Sequence, residues 1–388
     1  MIIGVVLGSA PGYSETFFSS KIQGLQQSGH QVLLFSGDNS NDFKLCPVIL
    51  FPKQYQSRFK QAVILIWVYL SLLPFFKSVF KFVKMERHDG ISWIRISKSL
   101  YSYAPIFKNK LDWLHFGFGT LALGGENLAA SKQAKMAVSF RGFDIGVYPI
   151  KHPHCYRRLW DKVFKIHVIS DDIAQLTYQH GFKDQAPIVK ITPAIDTKYF
   201  SESNKTLIDT PIQMVTIARL HWKKGLNYTL EALSILKKAG FSFQYRIIGT
   251  GSEIETLKFT CYQLGLEKEV LFLGKLAHLE VKQQLEQSQI YIQYSVQEGF
   301  CNAVLEAQAM GLLCVVSDAE GLQENVLHNQ TGWVVPKRQP QLLADKIIEV
   351  IELTEAKKKH IIERAILRVK KEFNIQKQQQ EFLHFYEE

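Results

Sequence analysis

Two carboxylates, Glu298 and Glu306, are separated by the seven residues Gly299-Phe300-Cys301-Asn302-Ala303-Val304-Leu305. An ionised carboxylate only accepts hydrogen bonds, so such a pair suits a ligand rich in hydroxyl groups. Between them Asn302 reads as the N-cap of a short helix that Gly311 would close. Unpaired backbone N–H groups at a helix start bind phosphate without a cation. A second element, Ala218-Arg219-Leu220-His221-Trp222-Lys223-Lys224-Gly225, follows an apolar run. Arg219 offers a planar fork and Lys224 a compact charge, and both suit a diphosphate leaving group whose charge grows as it departs. No Asp-x-Asp occurs, and Asp171-Asp172 lack the intervening residue, so no Mg²⁺ or Mn²⁺ site is expected.

These residues need strands to end beside them. In the first half, apolar runs at Ile2–Leu7, Gln31–Phe35, Trp113–Phe116, Met136–Phe140, His167–Ser170 and Ile188–Ile191 alternate with helical patterns such as Thr16–Ser28 and Asp171–His180. After the polar stretch Ser201–Pro211 the alternation restarts, with strands predicted at Gln213–Ile217, Phe243–Ile248, Val270–Leu273, Ile290–Tyr294 and Leu313–Val316. Strand and helix in alternation predict parallel sheets covered by helices, with ligands bound at the carboxyl ends of the strands. The expected division is 1–198, 199–374, and a C-terminal helix over 375–388 that packs back on the first domain through Phe382, Leu383 and Tyr386.

The formal charge of +10 is concentrated. Between Phe51 and Lys110 eleven Lys and Arg face only Glu86 and Asp89. The uncharged run Gln61–Phe76 falls short of the roughly 18 residues that span a bilayer, so no spanning helix is expected there. After Pro74, Phe76, Phe80 and Val83 share one helical face and Lys77, Lys81 and Lys84 another. Such a helix can lie on an anionic membrane, or simply pack its apolar face and solvate its lysines. No zinc spacing, RRM signature or GXXG clamp accompanies the basic segment, and no nucleic acid partner is expected. Met1–Leu7 lacks the layout of a secretory signal, and the five cysteines are scattered, so a cytoplasmic protein with reduced thiols is expected.

Together these motifs resemble the family-4 glycosyltransferases, retaining enzymes of the GT-B fold, in which two Rossmann-like domains face a cleft. Glu298 and Glu306 are similar to the family's E-x7-E pair, and Ala218–Gly225 to its G-R-L-x-x-x-K-G element. Thr192-Pro193-Ala194-Ile195-Asp196, Gly249-Thr250-Gly251-Ser252-Glu253, Phe272-Leu273-Gly274 and Gly321-Leu322-Gln323-Glu324-Asn325-Val326 resemble further family segments. Ser14-Glu15-Thr16-Phe17 and Ser139-Phe140-Arg141-Gly142-Phe143-Asp144 resemble members that build bacterial exopolysaccharides and lipopolysaccharides. The departures are Ala218 and Ala194 for Gly, and Arg141 where the family often has His.

The resemblance implies hexosyl transfer with retention, without a metal or other cofactor, from a UDP- or GDP-sugar to a lipid-linked or glycan acceptor. The leaving diphosphate would take the acceptor's proton. It assigns Arg219 and Lys224 to the diphosphate, Glu298 to the donor sugar and Glu306 to the ribose. Gly299, Phe300, Cys301 and Asn302 would line the donor, Leu276 would meet the base through its backbone, and Gly12 would approach the phosphates. Arg141 and Asp144 would face the sugar. His115 is placed on that sugar and acceptor side too, although a lone histidine is more often packed or hydrogen-bonded in a core. Cys301 also reads as small packing, and His152 with His154 lacks a third metal ligand.

Two other functions compete. A dinucleotide-dependent oxidoreductase built on Gly249-Thr250-Gly251 fails because Ile254 takes the third glycine's place and the next strand ends in Leu273-Gly274-Lys275 without an acid. A non-catalytic nucleotide-sugar or glycan-binding protein of the same fold, or an inverting GT-B enzyme, stays open as the alternative.

Overall fold

The computed structural model describes residues 1–12, 16–40, 42–202 and 210–387. Ser14 and Glu15 of the predicted N-terminal motif, and residues 203–209 of the predicted linker, lie outside them. The chain forms two compact units, Met1–Ile191 with Gln378–Glu388, and Thr192–Lys377. The predicted divisions were 198/199 and 374/375.

The first unit is a parallel sheet of seven strands: β1 (Ile2–Leu7), β2 (Gln31–Ser36), β3 (Val48–Leu50), β4 (Trp113–Phe116), β5 (Lys135–Phe140), β6 (Lys165–Val168) and β7 (Ile188–Lys190). Their order is β3-β2-β1-β4-β5-β6-β7. Near-continuous burial along β1, β4 and β5 follows from helices covering both faces, which is why these strands read as mostly apolar runs. The edge strand β3 is three residues long and is not among the predicted strands.

Helix Ile375–Glu387 supplies Phe382, Phe385 and Tyr386 to this core, where they meet Trp113, Ile3 and Val5. Tyr386 packs edge-on to Trp113 at 5.3 Å between ring centres. Of the predicted anchors, Leu383 is only partly buried, and Phe385 takes the deeper place.

The basic segment departs from expectation. Helix Arg58–Leu72, a 3₁₀ turn Leu73–Phe75 and helix Phe76–His88 run on without a gap. The resulting stretch, Arg58–His88, is long and apolar enough to cross a membrane, which corrects the reading that no such helix exists there. Counting residues between charges missed it, because the helix continues through Pro74 at a position where its ring is tolerated. The packed side of Phe76–His88 is Phe82 and Glu86, both buried, while Phe76 and Phe80 project outward with 61% and 70% of their surface exposed. The lysine helix is therefore not an ordinary core helix with its apolar stripe packed.

The second unit holds β8 (Ile212–Ile217), β9 (Phe243–Ile248), β10 (Val270–Gly274), β11 (Ile290–Gln293), β12 (Leu313–Ser317) and β13 (Trp333–Val335). All pair in parallel, in the order β10-β9-β8-β11-β12-β13. This is a doubly wound order whose connections reverse direction between β8 and β11. The three-residue β13 was also absent from the sequence reading.

Candidate functional site

The reversal between β8 and β11 makes the loops leaving these two strands diverge, which opens a crevice at their carboxyl ends. The loop after β8 holds Arg219, Lys223 and Lys224, and the loop after β11 holds Glu298. Trp222–Lys224 form a 3₁₀ turn that Gly225 ends at φ +62°. A side chain at Gly225 would put Cβ 2.1 Å from the Tyr294 carbonyl oxygen, so only glycine lets the two loops approach. Val296 N–H then donates to the Lys223 carbonyl at 2.7 Å. The result is an ion pair and hydrogen bond from Lys224 Nζ to Glu298 Oε2, joining residues 74 apart in sequence. Both side chains are largely buried, at 18% and 13% exposure. Burial alone would depress the Lys224 ammonium, but Glu298 more than offsets it and holds the lysine protonated.

The next loop locks Glu298 in place. Its N–H donates to Glu320 Oε2 at 3.0 Å, and its carbonyl accepts from Gly321 N–H at 2.9 Å. Lys337 pairs with Glu320 at 3.1 Å. A Cβ on Gly321 would lie 1.9 Å from the Gly299 carbonyl oxygen, so this close approach also demands glycine. Sequence reading assigned no role to Glu320 or Lys337; Gly321–Val326 was quoted only as a family segment, and nothing local marks the acid just before it.

The N-cap of helix Asn302–Ala309 lies one residue earlier than predicted. Cys301 occupies the N-cap position, and Asn302 is the first helical residue. Cys301 makes no side-chain cap, and Asn325 fixes its backbone instead: Asn325 Oδ1 accepts from its N–H at 2.9 Å and Asn325 Nδ2 donates to its carbonyl at 3.2 Å. The first-turn N–H groups that follow have no acceptor within their own helix. Burial, reinforced by Glu298, pushes the Cys301 thiol up to about 12, so it stays protonated and fills space beside the pair. Phe300 is nearly buried against Phe373, 5.7 Å between ring centres. Glu306, one turn into the helix and still in partial contact with solvent, has its carboxyl pushed up to about 7 by burial.

Arg219 is exposed, and its charge reaches Lys223 and Lys224. The Gly249-Thr250-Gly251 turn props up its loop: Ala218 N–H donates to the Ile248 carbonyl and Leu220 N–H to the Thr250 carbonyl, both at 2.9 Å. Leu276 is half-buried in the connection after β10. Arg219, Lys224, Glu298, Gly299 and the start of Asn302–Ala309 thus gather on the loops after β8 and β11 of one unit. Among the described residues no group of three or more His, Cys, Asp or Glu is placed to hold a metal ion.

The residues expected on the sugar side lie in the first unit, and two of them are interior. His115 is fully buried. Its Nδ1 lies 3.0 Å from Lys21 Nζ and 2.5 Å from Tyr386 Oη, and its Nε2 faces Ser139 Oγ at 2.7 Å. Ser139 in turn faces His167 Nδ1 at 2.7 Å, and His167 Nε2 meets the Ile191 carbonyl at 2.9 Å. One proton order satisfies the whole chain if both imidazoles are neutral and protonated on Nε2. Burial, aided by nearby cations, lowers both histidines well below their usual range, in agreement with that order. His115 therefore holds the core together and does not face an acceptor.

Asp144 is also buried, with one oxygen accepting from Gly119 N–H and the other from Arg141 N–H, each at 2.7 Å. Burial raises its carboxyl to about 6 against those two donors. Its oxygens are committed to the backbone at the starts of helices Gly119–Ala122 and Gly142–Gly146, which leaves no open approach for a sugar hydroxyl. The Arg141 guanidinium lies 3.8 Å from the centre of the Phe17 ring. Gly12 is partly exposed, immediately before residues outside the description.

Residues 199–368 match the family described as glycosyl transferases group 1. Among curated proteins, the amylovoran biosynthesis glycosyltransferase AmsK of Erwinia amylovora is 30% identical over 271 residues, 67% of this chain and 66% of that relative. The putative colanic acid biosynthesis glycosyltransferase WcaL of Escherichia coli K12 is 29% identical over 284 residues, 70% of this chain and 69% of its own. The match thus spans about two thirds of these relatives' length. Among solved structures, Anabaena Alr3699/HepE in complex with UDP and glucose superposes with a TM-score of 0.74 at 16% identity, covering 100% of this chain and 99% of that one. A glycosyltransferase from Rickettsia africae gives 0.73 at 19%, covering 100% and 97%. At such identities the likeness shows fold alone, and the two parallel-sheet units are those of the GT-B class.

Proposed function

The chain carries a group 1 glycosyl transferase domain over residues 199–368, and from that premise we propose that it transfers a hexose, with retention of configuration and without a metal, from a UDP- or GDP-sugar to a lipid-linked or glycan acceptor in surface polysaccharide synthesis. The observation that carries this reading is the Lys224–Glu298 pair at the carboxyl ends of β8 and β11, with the exposed Arg219 in the same loop and a helix start beside it. The amylovoran and colanic acid biosynthesis in the names of AmsK and WcaL, and the UDP and glucose bound to HepE, support the choice of product class and donor.

In this mechanism the bond between the anomeric carbon and the diphosphate oxygen breaks while the acceptor oxygen bonds to the same face of that carbon. The acceptor's hydroxyl proton passes to the departing diphosphate. Lys224 and Arg219 stabilise the charge that grows on the diphosphate, and the first-turn N–H groups of Asn302–Ala309 receive a phosphate oxygen. Glu298 keeps Lys224 protonated and offers its second oxygen to a sugar hydroxyl. Glu306 accepts from the ribose hydroxyls once ionised. The basic segment 51–110 brings the protein to the anionic inner face of the plasma membrane, where the acceptor is presented.

A panel of UDP-, GDP- and ADP-sugars tests the donor, since only a bound donor raises the melting temperature. The one-bond C1–H1 coupling at the anomeric carbon of the transferred sugar, read by NMR, tests retention. A panel in which no nucleotide sugar stabilises the protein would overturn the donor reading, and an inverted anomer would overturn the mechanism.

A further inference from the structure

The first unit exposes an apolar ridge that its core does not use. Along helix Arg58–Leu72, Phe59, Ile66, Trp67 and Leu70 are 81%, 57%, 69% and 53% exposed. Phe80 continues the ridge on helix Phe76–His88. Only 6% of the most apolar 18-residue stretch of Arg58–His88 is buried. Where the two helices meet, Leu72, Leu73, Phe76, Val79 and Leu100 line an almost wholly apolar groove of about 620 Å³, with Lys77 at its edge. Soluble proteins rarely expose contiguous apolar surface on this scale unless it meets a partner or a lipid phase.

Two features decide how the ridge meets lipid. Helix Arg58–Leu72 is 15 residues, about 22 Å, which is shorter than the ~30 Å hydrocarbon core. Helix Phe76–His88 is held to its unit: Glu86 is buried and accepts from Asn127 Nδ2 at 2.9 Å and Arg158 Nη2 at 3.0 Å, and Lys81 Nζ donates to the Ala130 carbonyl at 2.7 Å. Joining the first helix to make a full span would strand that buried charge. The charges select the lipid. Arg58, Lys60, Lys77, Lys84 and Arg87 are exposed on the two helices, whose one acid, Glu86, points inward.

We propose that helices Arg58–Leu72 and Phe76–His88 form a monotopic wedge that enters one leaflet of an anionic bilayer, lying in its plane without crossing it, with acyl chains filling the groove between them. The proposal deepens the membrane-facing reading above and rests on it. Apolar insertion, beyond charge alone, then holds the protein at the surface.

The test uses the full chain and vesicles of phosphatidylcholine with about one third phosphatidylglycerol, read by co-sedimentation. The wild type should bind and should remain bound in about 1 M NaCl, where the Debye length is near 3 Å and exposed charges are screened. The triple variant Ile66→Gln, Trp67→Gln, Phe80→Gln keeps every charge and should partition at least about a hundredfold less. Bromines near the headgroup end of the acyl chains should quench fluorescence that is missing in Trp67→Phe. Equal partition of the triple variant and the wild type would overturn the proposal, and so would complete release of the wild type by salt. Strongest quenching by bromines at the chain ends would overturn the in-plane geometry. A vesicle-free wild type that sediments as a dimer while the triple variant is a monomer would make the ridge a subunit interface instead. Stabilisation by UDP and by GDP, measured in parallel, reports separately: absence of both in both proteins sinks the donor reading and leaves the partition result standing.

Discussion

Replacing Lys224 with methionine keeps most of the side chain's volume but leaves Glu298 facing an apolar group. Breaking a buried pair by removing one partner costs about 3 to 5 kcal/mol. Because 18% and 13% of the two side chains remain in contact with water, we expect roughly 2 to 4 kcal/mol here. For a unit of this size that lowers Tm by about 5 to 15 °C. Turnover should fall by about 10²- to 10³-fold, since a preorganised charge on the departing diphosphate is lost. The double variant Lys224→Met, Glu298→Gln separates the two effects. It removes the stranded carboxylate, so most of the stability should return, whereas turnover should stay low. Calorimetry on the ligand-free protein and rates at saturating donor measure both. A single variant with unchanged Tm and turnover would show that the pair neither stabilises the site nor serves the chemistry, and a double variant no more stable than the single one would assign the loss to packing.

Activity should survive dialysis against EDTA, and a rate restored only by Mg²⁺ or Mn²⁺ would reveal a missed metal role. Burial raises Glu306 to about 7 from an ordinary carboxyl value, so the folded protein retains a proton there that the unfolded chain has lost. Ligand-free stability should therefore decline as pH rises through the window from about 4.5 to about 7, with the slope reduced in Glu306→Gln. Donor binding that needs the carboxylate should instead weaken as pH falls below about 7, by up to about tenfold per unit; titration calorimetry that finds a flat profile in the wild type would remove Glu306 from ribose recognition. Phe385→Ala opens the first unit's core where the ring meets His115 and Trp113, and should cost about 3 to 5 kcal/mol in denaturant melts, with UDP still stabilising the second unit.

Much of this protein is legible from local pattern. Apolar runs alternating with helical stripes identify two parallel sheets, because a strand buried on both faces must be apolar throughout. The spacing of Glu298 and Glu306, and the Arg219 to Gly225 element, mark the loops at the reversal between β8 and β11 for the same reason: strand ends and turn glycines are short-range features. Strands β3 and β13, three residues each, are not among the predicted strands, although the equally short β7 is. The cap of Asn302–Ala309 is misread because its polar partner, Asn325, arrives from another loop.

Tertiary structure decided the rest. His115 and Asp144 look like site residues by type, yet a buried group must satisfy its hydrogen bonds where it lies, and theirs are taken by Ser139, Tyr386 and two backbone N–H groups. The helical stripe of Phe76 and Phe80 fits a membrane face or a packed core face alike, and only the packing of Phe82 and Glu86 turns them outward. Sequence determines which residues can hide from water through periodicities of a few residues. Which of them actually do, and which charges meet, depends on contacts between segments far apart in the chain, as the Lys224–Glu298 pair does.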